Sequence, residues 1–406
     1  MILCGTVILF MNWKNYEQLF LTKNAPVLRP YQEEAVVAVR SAYKEGYRSV
    51  LLVLATGCGK TVIFSNIANR VVVRQQRVLV LAHRTELLTQ AQAKLRDVGL
   101  YSELEQGVSR ADAAPVVLAS VQTLKGKRLA SFARDTFTLI IIDEAHHAAA
   151  ETYRTIIKHF RTARVLGVTA TPERADGVDL MRLFDKVAYR YDMLKAMRAG
   201  HLAPMRSTIL DMPTIDLSKV ALKGSDFDPV ELAKLLNEER ALRGMADQIL
   251  TTSVSRKTMI FTVDVKNAYA MAAVLNQLRP KSALAVDGSS PTETRAAALA
   301  AFRANKFTYL INCALFTEGF DEPSLGCVVI ARPTKSRVLH TQMLGRGARL
   351  ALDKTECLSV DFTSSKSRTI TAPDSLAGFE LDPVDLARVA ASPLYLHQAL
   401  EYLAPS

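Results

Sequence analysis

Cysteine is scarce and unorganised in this chain. Its five cysteines among 406 residues (Cys4, Cys58, Cys313, Cys327, Cys357) are odd in number, scattered and never in CxxC spacing. That excludes a disulfide framework or a zinc ribbon and fits a reducing compartment. Long apolar runs are lacking too. The apolar start "MILCGTVILFM" is too short to span a bilayer and carries no basic leader or small-residue cleavage site. It reads as a packed arm, or as an upstream start ahead of Met11, and the chain as cytosolic. Charge of one sign is not extreme: Lys plus Arg is 51 against 40 for Asp plus Glu, a formal +11. So moderate an excess is met by a solvated surface; it permits a polyanion partner without demonstrating one. No short-period repeat is present. With 49% hydrophobic and 22% charged residues, a disordered or collagenous chain is excluded, and the length suits about two or three domains with cores of their own.

What is present is alternation. Short apolar runs at Ser49–Leu54, Val78–Ala82, Val116–Ala119, Phe137–Ile142 and Val165–Val168 are separated by helical patterns. Runs that are apolar throughout suit strands covered on both faces, as in a parallel sheet flanked by helices. A second series follows at Thr258–Phe261, Ala283–Val286, Tyr309–Ile311, Cys327–Ala331 and Cys357–Val360. Between them lies the polar stretch "DMPTIDLSKVALKGSDFDPVE" (211–231) and a helical pattern from Val230. The spacing predicts two tandem α/β parallel-sheet domains joined by a connecting region near 205–245, with a short, partly helical tail beyond about Thr363.

The stretch "VLLVLATGCGKTVIFSNIAN" runs from a strand through a glycine-containing turn into a helix whose Ile63, Phe64 and Ile67 share one face. That is the setting a phosphate loop requires. Backbone N–H groups there can wrap phosphate oxygens, Lys60 adds charge and Thr61 can ligate Mg²⁺. The strict GxxxxGK[ST] pattern fails, since Leu54 holds the first glycine position. Downstream, "LIIIDEAHH" ends an apolar run in Asp143 and Glu144. With a phosphate loop present, Asp143 becomes a second Mg²⁺ carboxylate and Glu144 orients the attacking water. A zinc hydrolase instead needs two histidines four apart on one helical face; His146 and His147 are adjacent. His147 reads as a capping or surface histidine.

Nine stretches now stand in order: "LRPYQ" (28–32), "ATGCGKT" (55–61), "LAHRTELL" (81–88), "ASVQTL" (119–124), "DEAHH" (143–147), "VTATPER" (168–174), "MIFTVDV" (259–265), "LFTEGFDEPSL" (315–325) and "QMLGRGARL" (342–350). In this order they resemble superfamily 2 helicases and translocases of the DEAH type. The branch they look most similar to holds the type I and III restriction motors and transcription-repair DNA helicases. The resemblance covers roughly residues 28–365, and it tolerates Leu54, because that family's loop commonly dispenses with the first glycine. It implies two RecA-like domains, 28–204 and 205–365, with an arm at 1–27 and a tail at 366–406.

The resemblance also implies roles. Arg29 and Gln32 would read adenine; Thr56, Gly57, Cys58, Gly59, Lys60 and Thr61 would cradle the phosphates of ATP; Gly319 and Asp321 would approach the ribose. His146, Thr169 and Thr171 would couple the γ-phosphate to the nucleic-acid groove. Gln342, Arg346 and Arg349, at helical spacings of four and three, are either a basic solvated stripe or, with the family, arginine fingers with a water-holding glutamine, suited to guanidinium's rigid fork. Arg84, Thr85, Gln122, Thr123 and Thr317 would contact the sugar–phosphate backbone without reading sequence, although each serves equally as a helix cap. The implied activity is an ATP- and Mg²⁺-dependent DNA helicase or translocase. An RNA helicase, an ATP-gated duplex-binding switch and a motor subunit that translocates without unwinding are the alternatives.

Overall fold

The computed structural model describes residues 27–403 apart from 149, 172–179, 181–182, 214, 314–315, 317–321 and 365. The chain divides into two compact units. The first carries β1 (Ser49–Leu54), β2 (Val78–Ala82), β3 (Ser102–Glu105), β4 (Val116–Ser120), β5 (Leu139–Asp143), β6 (Arg164–Thr169) and β7 (Lys186–Tyr191) in the order β3-β4-β2-β5-β6-β1-β7, every pair parallel. Alternate residues Leu51, Val53, Leu79, Leu81, Ile140 and Ile142 face one core with Phe137, Phe160 and Phe184. Their neighbours Leu52, Val80 and Ile141 are equally buried. Burial of both faces is why these strands are apolar at every position rather than at every second one.

The second unit carries β8 (Met205–Asp211), a small hairpin of β9 (Leu222–Lys223) and β10 (Asp226–Phe227), then β11 (Thr258–Phe261), β12 (Ala283–Val286), β13 (Tyr309–Asn312), β14 (Cys327–Ile330) and β15 (Cys357–Thr363). Its main sheet runs β12-β13-β11-β14-β15-β8, again all parallel. Of the strands in the two main sheets, three lie outside the apolar series of the sequence: β3, β7 and β8. All three are sheet edges, half-exposed along much of their length, so their polar residues hide them from a search for continuous apolar runs.

The sequence placed the domain change near 204/205, but the first sheet ends at Tyr191 and the chain belongs to the second unit from Asp192. Asp192 caps the helix Met193–Arg198 by accepting from Lys195 N at 2.8 Å. This helix packs on the helices Ala372–Ala377 and Leu396–Ala399, and Arg198 pairs with Glu401 at 2.9 Å. The residues after 365, read from the sequence as a tail, are therefore part of this unit.

A buried polar chain ties that C-terminal segment down. His340 is fully buried on the helix Arg337–Leu344. Its Nε2 lies 2.8 Å from Asp361 Oδ1 on β15 and its Nδ1 2.7 Å from Ser375 Oγ. Because a carboxylate only accepts, Nε2 carries the hydrogen and Nδ1 accepts from the serine. Asp361 Oδ2 takes the Ala372 N–H at 2.9 Å. Removing the ring leaves the buried Asp361 carboxylate without that donor, and a buried charge short of a partner is costly. His340→Ala is expected to lower stability by about 3 kcal/mol and Ser375→Ala by about 1 kcal/mol in urea unfolding. Equal, sub-kcal effects of both would refute the chain's holding role.

Candidate functional site

Strand β1 ends at Leu54, which is fully buried. The loop turns at once: Cys58 N donates to Ala55 O at 3.1 Å, and Gly57 and Gly59 adopt φ of +91° and +73°. Leu54 is thus the last strand residue rather than a turn residue, so the missing first glycine has no left-handed position to serve. The helix Lys60–Val72 starts without any side-chain cap, leaving its first N–H groups pointing out of the loop. Thr56 Oγ1 is buried there with no hydrogen-bond partner among the described residues. An uncapped helix end, two left-handed glycines and an unpartnered buried hydroxyl fit an anionic phosphate.

Lys60 is not a solvent-facing loop residue. It is the first helical residue, its side chain only 13% exposed, and its Nζ lies 2.7 Å from Glu144 Oε1. Glu144 follows directly on β5 with φ of +50°, a conformation uncommon for a residue with a side chain. Its N–H is held by Asp143 Oδ1 at 3.0 Å. Strands β5 and β6 pair Asp143 with Val168, which sets Thr169 beside the same loop. His146 Nδ1 lies 3.2 Å from Thr169 Oγ1 and 3.5 Å from Glu144 Oε2. Thr169 Oγ1 donates to Thr171 O at 2.8 Å, so its single hydrogen is committed and His146 Nδ1 must be the donor. The structure therefore brings Lys60, Asp143, Glu144, His146, Thr169 and Thr171 together in the first unit. Thr61 and Asp143 offer a hydroxyl and a carboxylate, hard oxygen donors of the kind magnesium accepts alongside phosphate oxygens.

Gln32 is buried, and its Oε1 accepts from Arg29 N at 3.0 Å, the contact of a helix-start glutamine. Its amide nevertheless crowds the phosphate loop: a Cβ on Gly59 would sit 2.6 Å from Gln32 Nε2. Beside it, Tyr31 stacks on Tyr191 with centroids 4.4 Å apart.

Among the nucleic-acid candidates, Arg84 and Thr85 open the helix Thr85–Asp97 after β2, and Gln122 and Thr123 follow β4. A turn that the sequence did not single out joins them. Gln106 Nε2 donates to Thr85 Oγ1 at 2.6 Å and Gly107 N to Thr123 Oγ1 at 3.4 Å, while Arg128 clamps the turn through Gly107 O and Ser109 O. No spacing in the sequence marks it. The ring centroid of His147 lies 3.9 Å from that of His83 and 4.2 Å from that of His146. Gly319, Asp321 and Thr317 lie outside the described residues.

In the second unit, Gln342 and Arg346 are buried, and Arg346 Nε donates to Gln342 O at 3.3 Å. The expectation that Gln342, Arg346 and Arg349 share one helical face needs correction. The helix stops at Leu344, and the chain continues through tighter turns with Arg346 N on Met343 O and Gly347 N on Leu344 O. Gly347 lies so close to the sheet that a Cβ would come within 2.4 Å of Cys357 Sγ. Arg349 thus leaves the α-helical stripe, and burial lowers its guanidinium pKa.

Residues 25–174 match the family model described as type III restriction enzyme, res subunit, and residues 241–351 match the helicase conserved C-terminal domain. The putative ATP-dependent helicase IRC3 of Saccharomyces cerevisiae is 34% identical over 388 residues, spanning 89% of this chain and 55% of the yeast protein. The putative mitochondrial ATP-dependent helicase irc3 of Schizosaccharomyces pombe is 34% identical over 387 residues, 92% of this chain and 63% of its own length. The chain thus spans less than two thirds of either curated relative. A solved fragment of a putative HsdR subunit of a type I restriction enzyme from Vibrio vulnificus superposes with a TM-score of 0.65 at 26% identity, covering 86% of this chain and 67% of that one.

Gly59→Ala tests the phosphate cradle. The substitution puts a side chain on a left-handed backbone and onto Gln32, so stability should fall by about 1 kcal/mol. Affinity for a fluorescent ATP analogue should fall by about tenfold or more, the scale of 1.4 kcal/mol. Unchanged affinity would remove the loop from the nucleotide site.

Proposed function

This chain belongs to the superfamily 2 helicases, on the branch with the restriction-enzyme motor subunits, and from that premise we propose that it is a DNA-dependent ATPase that moves along or unwinds DNA. The observation that carries the reading is the convergence of Lys60, Asp143, Glu144 and Thr169 at the mouth of the phosphate loop. Glu144, held by its own strained backbone, orients and deprotonates the attacking water. Lys60 neutralises charge on the terminal phosphate. Thr61 and Asp143 would hold a magnesium ion, which would supply further charge neutralisation. Gln32 and Arg29 contact the base, and Gly319 and Asp321 the ribose. From the second unit, Gln342 holds the water while Arg346 and Arg349 act as arginine fingers. Arg84, Thr85, Gln122, Thr123 and Thr317 hold the sugar–phosphate backbone.

DNA is favoured over RNA because one of the two matching family models and the solved relative are named for restriction enzymes, which act on DNA. Among the described residues, Cys313, Cys327 and Cys357 are free thiols. No helix among the described residues is long and apolar enough to cross a membrane.

Turnover measured with single-stranded, duplex and forked DNA and with RNA in parallel tests the substrate: DNA should stimulate more, and binding should weaken steeply with salt. Stimulation by RNA alone would reassign the protein to the RNA helicases. Lys60→Ala should lower turnover by ~10²-fold or more, together with some stability, since Glu144 loses its buried partner. Arg349→Ala should keep nucleotide binding yet lose ~10³-fold in turnover, the scale of a missing arginine finger. Near-normal turnover in Arg349→Ala would remove that residue from the mechanism.

A further inference from the structure

Strands β2 and β5 are neighbours, with Leu81 paired to Ile142. Their carboxyl ends therefore deliver two loops side by side: His83-Arg84-Thr85 after β2 and Glu144 to His147 after β5. The space between them is filled by imidazole rings. His83 packs on His147 at 3.9 Å with planes 53° apart, and His147 packs on His146 at 4.2 Å and 45°. His146 in turn reaches Thr169 and Glu144. A continuous series of contacts thus runs from Arg84 and Thr85 to the carboxylate proposed to hold the attacking water.

We infer that the His83–His147 ring pair is the link by which nucleic acid held at Arg84 and Thr85 sets the position of Glu144, with His147 as the positioning residue. The inference rests on the function proposed above and adds a residue to which that reading gives no part. Flat rings in tilted contact resist sliding better than a flexible aliphatic side chain, so a shift of the β2 loop moves His147 rather than being absorbed. His147 is held by its ring contacts to His83 and His146, whereas His146 itself reaches Thr169 and Glu144. Moving His147 therefore changes how Glu144 responds to the nucleic-acid loop, not how the phosphate loop holds its ligand. Coupling of this kind is a two-site property: it shows in the difference between turnover with and without nucleic acid.

The test uses the full chain, ATP, and single-stranded and duplex DNA as probes. In His147→Ala, basal turnover and KM for ATP should stay within about twofold of wild type, while DNA stimulation of kcat should fall about fivefold or more, the lower end of ordinary coupling. His147→Phe keeps a ring and should restore most of the stimulation. His83→Ala should lose stimulation to a similar degree, and the double variant His83→Ala/His147→Ala should be no worse than either single one. Full stimulation in His147→Ala overturns the link, as does a parallel loss of basal and stimulated turnover, which would mark a merely structural role. An additive double variant overturns it as well. Should His147→Ala fail to fold, His147→Phe and His83→Ala carry the same comparison, and normal stimulation in folded His83→Ala is the refuting result. A wild type that no nucleic acid stimulates overturns the proposed function and the link together; a stimulated wild type with an equally stimulated His147→Ala overturns the link alone.

Discussion

In a parallel sheet every strand delivers its carboxyl end to the same edge, where backbone groups leave the ladder and side chains can face one another. The first unit depends on that constraint. The phosphate loop leaves β1, Asp143 and Glu144 leave β5, Thr169 ends β6, His83 and Arg84 follow β2, and Gln122 and Thr123 follow β4. Because β5, β6 and β1 are consecutive in the sheet, residues more than eighty positions apart in sequence meet without any long excursion of the chain. Lys60 and Glu144 come within 2.7 Å for this reason. Neither residue is placed by its own loop alone; the register of β6 between β5 and β1 places both.

That proximity has an electrostatic consequence. Glu144 sits between a lysine ammonium and a histidine ring in a largely buried setting, where a charge is tolerated only with partners. Its left-handed backbone turns the carboxylate back over the strand ends instead of outward, and the strain of that conformation is the ordinary companion of a functional position. A lysine that ion-pairs with this carboxylate also has a second use for its charge where phosphate binds, since phosphate oxygens compete for the same ammonium.

Much of this was legible in the sequence because the signals were redundant. The central strands announced themselves as continuous apolar runs, and the phosphate loop by a strand, two glycines and Gly-Lys-Thr in the correct order. Three of the four sheet-edge strands were not legible. Ser102–Glu105 and Met205–Asp211 bury only part of their surface, so no selection for apolarity marks them. Pairwise geometry was hidden as well: the spacing of Gln342, Arg346 and Arg349 obeys a helical period, yet two glycines and the closeness of Gly347 to β15 end the helix before the period can act. The ring contact of His83 with His147 depends on strand adjacency, which no local pattern encodes.

The C-terminal segment shows how far a local reading can miss a non-local role. Residues 366–403 look like a partly helical appendage, and the helicase family model stops at 351. Yet His340, two positions before Gln342, has both ring nitrogens committed, one to β15 through Asp361 and one to Ser375 beyond it. A ring fixed along two directions fixes the rotation of its helix about the helix axis, and every side chain on that helix inherits the setting. The backbone of Ala372 closes the arrangement on Asp361, and Arg368 meets Asp374 one turn away. The orientation of Gln342 therefore depends on residues after 365, and the smallest unit that can present it must include them.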